Sequence, residues 1–174
     1  MTRGSLFNIV AAGAVATAGA LVPGRAAAAS HVGLEPVFAS RFWLNGRLTQ
    51  ARASGRVVLV DVFTFECINC TRVTPNLKAL HHAYSPARLE IVAVHTPEVP
   101  AYQARASYVA SEARRAQLPW PIALDNDYRI WNAYGIDAWP TQLVFDRRGT
   151  LVARIVGESQ DAALNEAVRR AMTS

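Results

Sequence analysis

The chain has 174 residues, 51% of them hydrophobic, enough for one domain with its own core and too few for two of ordinary size. Its formal charge of +5 rests almost entirely on arginine, since Lys78 is the sole lysine, and the arginines fall in isolated doublets such as Arg114-Arg115, Arg147-Arg148 and Arg169-Arg170. No basic stripe is present, so the composition argues for a solvated surface and against a nucleic-acid partner.

Residues 1–29 hold no acidic side chain. Arg3 stands near the start, Leu6 to Val22 is uncharged, and Ala26-Ala27-Ala28-Ala29 follows Gly24-Arg25. That is the order of a secretory signal, with a positive start, an apolar run and a small-residue cleavage site. Cleavage is expected after Ala28 or Ala29. An uncleaved anchor is the alternative, but the run is rich in Ala and Gly, ends at Pro23, and falls short of the ~20 strongly apolar residues that span a bilayer. Thr2-Arg3-Gly4 has one arginine and so is not a twin-arginine signal. Loss of Arg3 and Arg25 takes the charge from +5 to +3. The mature chain is then expected to carry no membrane span and to work in the periplasm or as a secreted protein.

Residues 30–56 read as a lead-in, broken by Pro36, Asn45-Gly46 and Ser54-Gly55, with one short irregular element near Leu48 to Ala53. Val57 to Phe63 is a continuous β-branched and aromatic run, predicting a strand buried on both faces. The period then changes: Val73, Leu77, Leu80 and Tyr84 fall at helical spacing, which puts Cys67 and Cys70 at the start of a helix. Leu89 to His95 predicts a second buried strand, and about eighteen residues from Ala101 predict one helix closed by Pro119 and Pro121. Ile122 to Leu124 predicts a short strand, followed by a helix over 127–134 that Asp125-Asn126 can cap. Thr141 to Asp146, the turn Arg147-Arg148-Gly149, and Leu151 to Val156 predict an antiparallel hairpin, and Ser159 to Met172 a closing helix. Alternating strands and helices call for an α/β fold, a mixed β-sheet flanked by helices.

Two cysteines three residues apart enclose too small a loop to stabilise the fold much as a disulfide, so this pair points to chemistry. At a helix start, free N–H groups and the positive end of the macrodipole favour a thiolate, the nucleophile of thiol–disulfide exchange. Cys67 is expected to attack and Cys70, one turn on, to resolve. A zinc site needs two further ligands at comparable spacing, and His81-His82 offers no second pair, so neither metal nor cofactor is expected. Asp61 interrupts the apolar strand six residues before Cys67. A carboxylate there is costly to bury, and it is expected to relay a proton to or from Cys70; the alternative is an edge aspartate bonded to backbone. Trp139-Pro140 leads straight into the hairpin. If that bond were cis, Trp139 would offer its backbone to an extended substrate peptide; a trans proline at a strand entry is the alternative.

The segment Val60-Asp61-Val62-Phe63-Thr64-Phe65-Glu66-Cys67-Ile68-Asn69-Cys70, with Pro75 beyond it, resembles the active-site segment of the thioredoxin superfamily. The resemblance runs from about Trp43 to the C-terminus and implies a thioredoxin-like domain over 57–174. It matches Asp61 to the buried aspartate, Cys67 and Cys70 to the redox pair, and Pro140 to the cis proline. More narrowly, Cys67-Ile68-Asn69-Cys70, Val94-His95-Thr96-Pro97-Glu98 and Ala123-Leu124-Asp125-Asn126-Asp127 resemble thioredoxin-like domains of the DipZ type, related to exported reductases of cytochrome c maturation. The implied activity is protein-disulfide exchange on exported proteins, fed by a membrane-embedded electron donor.

Phe65-Glu66 departs from the residues usual before the first cysteine, and Trp139 stands where many relatives have a smaller residue. Neutral Asn69 before Cys70, with acidic Glu66 nearby, favours the reducing direction. Two other functions share this fold. A peroxiredoxin-like peroxidase needs a proline that Phe63-Thr64-Phe65-Glu66-Cys67 lacks. A copper carrier needs a wider cysteine spacing and a distal histidine, for which His95 is the candidate.

Overall fold

The computed structural model describes Met1 and residues 33–174; the signal segment expected at 1–29 lies outside the described residues. Six strands form one mixed sheet: β1 (Trp43–Leu44), β2 (Val57–Phe63), β3 (Leu89–His95), β4 (Ile122–Leu124), β5 (Thr141–Phe145) and β6 (Leu151–Val156), in the spatial order β1-β4-β3-β2-β5-β6. Strands β2, β3 and β4 run parallel, while β1, β5 and β6 pair antiparallel. The helices among the described residues are α1 (Glu35–Phe38), α2 (Gln50–Ala53), α3 (Ile68–Ala83), α4 (Pro100–Gln103), α5 (Ala106–Arg115), α6 (Arg129–Ala133) and α7 (Asp161–Ala171). None of these is long and apolar enough to cross a membrane.

Alternation along β2 and β3 divides the interior in two. Val57, Leu59 and Phe63 pack with Val73, Leu77 and Leu80 of α3, Val109 of α5 and Leu164 and Val168 of α7. Val58, Val60 and Val62 pack on the opposite face with Val92, Val94, Ile130 and Phe145. Every residue of β2 and β3 is buried, as continuous apolar runs require of strands covered on both faces. Residues 33–56 add to this second core through Leu34, Val37, Leu48 and Ala53, and Trp43–Leu44 pairs with β4 at the sheet edge.

The single helix expected from Ala101 is two. Gln103 is fully buried, and its side-chain Oε1 accepts from the Val99 N–H (2.8 Å) and from Thr64 Oγ1 (3.2 Å), which ties α4 to the loop after β2. The chain then opens at Arg105 (φ −76°, ψ 121°) before α5 begins, and α5 stops at Arg115, ahead of Pro119. The helix expected over 127–134 is shortened to α6 because Tyr128 takes a left-handed conformation (φ 57°). Asp125 still caps it: its carboxylate accepts from the N–H groups of Ile130 and Trp131, both at 2.9 Å. The hairpin turn closes on Asp146, which accepts from the N–H groups of Arg148 and Thr150 at 2.9 Å, with Gly149 at φ 80° supplying a conformation that side chains resist.

Candidate active site

Cys67 is the N-cap of α3. Its φ of −83° and ψ of 111° are extended, its carbonyl accepts from Cys70 N–H (3.1 Å) and Thr71 N–H (3.2 Å), and its Sγ also accepts from Cys70 N–H at 3.3 Å. A sulfur in this place stands where a capping oxygen would, so the helix end directs its free N–H groups at it. Cys67 is half-buried and Cys70 buried, both as free thiols. Burial, followed by the hydrogen bond to Cys67, pushes the Cys70 thiol far above its ordinary range. Pro75 lies inside α3, where its missing N–H removes one rung of the helix ladder.

Asp61 occupies the central strand β2, in register with Ala93 of β3 and Gln142 of β5. It lies neither at an edge nor against backbone. The residue is 5% exposed, its Oδ1 accepts from Gln142 Nε2 at 2.9 Å, and burial outweighs that bond to lift the pKa from 3.8 to about 6. Asp61, Cys70, Thr74, Lys78 and Trp120 line one cavity of about 410 Å³ between α3 and the stretch 115–120. The acid and the deeper thiol thus share a space large enough for water.

The Trp139-Pro140 bond is cis. The Trp139 ring is half-buried, meets Trp131 with centroids 4.3 Å apart and planes tilted by 42°, and packs against the core cluster that holds Cys70, as Cys67 and Phe65 also do. The five residues singled out in the sequence therefore fall in two groups. Asp61 and Cys70 meet in the cavity, while Cys67 and Trp139 are half-buried and each pack against that cluster, with Pro140 buried at the entry to β5.

Two participants escape sequence reasoning, and a third, His95, enters it as the candidate copper ligand. Gln142 is a polar residue in a buried strand, which is a signal, but only the β2–β5 register shows that it faces Asp61. Tyr108 donates from its hydroxyl to Glu66 Oε1 across 42 residues of sequence. His95 packs edge-on to Phe63 and 5.6 Å from the ring of Phe65, and burial lowers its pKa to about 4, so it stays neutral.

A dithiol at a helix start and a buried carboxyl lining the same cavity, on a mixed sheet of this order, define a protein of thioredoxin fold. The chain belongs to the thioredoxin-like family, whose profile matches residues 55–151. It is 38% identical over 97 residues to Protein DipZ of Mycobacterium bovis, covering 56% of this chain but 14% of that one. It is 32% identical over 111 residues to the thiol-disulfide oxidoreductase ResA of Geobacillus thermodenitrificans, covering 64% of this chain and 59% of that one. The chain thus spans about a seventh of the DipZ protein. A thiol-disulfide isomerase structure from Corynebacterium glutamicum superposes with a TM-score of 0.69 at 19% identity, covering 78% of this chain and 93% of that one, which shows the shared fold.

Proposed function

We propose that this chain is an exported reductase of protein disulfides, of the kind that serves cytochrome c maturation, acting through Cys67 and Cys70 with Asp61 as its buried base. The observation that carries the reading is the inequality of the two thiols: Cys67 caps the helix at the surface, whereas Cys70 is buried in the cavity it shares with Asp61.

The Cys67 thiolate attacks one sulfur of a substrate disulfide. The substrate S–S bond breaks, a mixed disulfide forms on Cys67, and the first substrate sulfur leaves as a thiolate and takes a proton from water. Cys70 then passes its proton to the Asp61 carboxylate, directly or through water in the cavity, and its sulfur attacks Cys67 Sγ. The mixed disulfide breaks, the second substrate sulfur leaves as a thiolate, and Cys67 and Cys70 end as a disulfide, with two electrons passed to the substrate. A dithiol donor, proposed to be membrane-embedded, restores the pair. Half-buried Trp139 and buried Pro140, at the entry to β5, are proposed to dock the substrate backbone. Neutral Asn69 and acidic Glu66 put no cation next to either cysteine in sequence, which supports the reducing direction.

Cys70→Ser tests the reading. Without a resolving thiol, the intermediate on Cys67 cannot collapse, so the variant should trap exported proteins as mixed disulfides that reductant releases. The potential of the wild-type pair against a glutathione buffer should lie nearer the roughly −270 mV of thioredoxin than the roughly −120 mV of DsbA. An empty trap alongside a normally alkylated Cys67 would count against a protein substrate and move weight to a peroxidase.

A further inference from the structure

Glu66 is the residue immediately before the nucleophile, and the structure does not leave it loose. The Tyr108 hydroxyl on α5 donates to its Oε1. Tyr108 is held in turn between Phe65, 6.5 Å away and edge-on, and Tyr102, 5.4 Å away and edge-on. Burial first, then the bond to Glu66, raises the Tyr108 pKa well above its usual range, so the phenol remains a donor. Among the described residues no cation lies within salt-bridge distance of Glu66. Two arginines of the flanking helices have other carboxylate partners: Arg72 Nη1 bonds Glu158 at 2.8 and 3.1 Å and lies 3.4 Å from Asn69 Oδ1, and Arg115 pairs with Glu112 at 3.5 Å. Glu112 stands one turn beyond Tyr108 and adds negative charge on the same side. An oriented carboxylate, partnered by a neutral phenol, therefore faces solvent beside Cys67, next to exposed Ile68.

Building on the reductase reading above, we propose that Glu66, positioned by Tyr108, is a charge filter on the disulfide that approaches Cys67. It favours substrates with a cationic residue beside the disulfide and disfavours anionic ones, glutathione disulfide included. The attraction and repulsion are those of a single exposed charge near the reacting sulfur, worth a severalfold rate change each way and screened by salt. A carboxylate paired with an arginine would be neutralised and would lack this selectivity, which is why the choice of tyrosine as partner matters.

The test compares oxidation of the reduced, signal-cleaved chain by cystamine, a dication, and by dithiodipropionate, a dianion of similar length. The measure is the ratio of the two second-order rate constants at low ionic strength. Glu66→Gln should lower the cystamine preference about tenfold, Tyr108→Phe should lower it less, and Glu66→Asp should keep its sign. Added salt should shrink the wild-type ratio and leave that of Glu66→Gln nearly flat. General damage to the fold slows both probes alike and does not move the ratio. A Glu66→Gln ratio within about twofold of wild type would overturn the filter while leaving the reductase reading intact. Oxidation of the wild-type chain by neither probe would overturn both.

Discussion

Asp61 and Asp125 are both carboxylates sealed in one frame, 5% and 1% exposed, yet the protein treats them differently. Asp125 accepts three hydrogen bonds, from the N–H groups of Ile130 and Trp131 and from Thr96 Oγ1 at 3.1 Å. Asp61 accepts one, from Gln142, and otherwise faces the cavity that reaches Cys70. Burial raises both pKa values, but at Asp125 the three bonds pull against it, whereas at Asp61 one bond does and the value reaches about 6. The first carboxylate fastens a helix to the sheet. The second is left underbonded, and an underbonded buried acid is poised to exchange a proton near neutral pH.

If that contrast holds, removing each carboxylate has opposite consequences for stability. Asp125→Ala should cost about 3 kcal/mol, because it strands two backbone donors at the start of α6 as well as the Thr96 hydroxyl. Urea denaturation measures this, and a loss below about 1 kcal/mol would mean that water replaces the cap. Asp61→Asn should instead stabilise the protein at pH 7.5, by up to roughly 3 kcal/mol for a shift of about two pKa units. The sign follows from linkage. A carboxyl whose folded pKa is above its unfolded value binds more protons when folded, so its contribution is most favourable below about pH 4 and is lost as pH rises through about 6. The two proteins should therefore differ little at pH 4 and most above pH 6, and a stability gap that does not change with pH would contradict the assignment. The smallest effect sharpens the Asp125 side: Thr96→Val removes one of its three donors while keeping shape, and should cost about 1 kcal/mol.

The same contrast explains what the sequence could disclose. Asp61 stands out because it breaks a run of seven buried strand positions, and Cys67 and Cys70 because their spacing and the switch to helical period coincide. Strand β2, strand β3 and the final hairpin follow from uninterrupted β-branched runs and a turn whose glycine and aspartate have specific jobs. What the linear order hides is pairing at a distance. Gln142 meets Asp61 through the register of β5 on β2, and Tyr108 meets Glu66 across the loop that α5 covers. The division of the expected helix at Ala104 is hidden for a similar reason: Gln103 reads as a solvated helix residue until Thr64, 39 positions away, is found to claim its side chain. The edge strand Trp43–Leu44 is two residues long, too short for any periodicity to register, and exists because β4 offers it a partner.

Asp61 is proposed to take the Cys70 proton when the mixed disulfide is resolved. A mixed disulfide of Cys67 with a small thiol, formed on the otherwise reduced protein, allows that step to be timed alone by release of the thiol as a function of pH. The wild-type rate should fall as pH drops through about 6, where the Asp61 carboxylate becomes protonated. Asp61→Asn should resolve about a hundredfold more slowly at neutral pH and lose that inflection. Equal rates in the two proteins at pH 7, or an inflection near 6 that survives in the variant, would contradict the account.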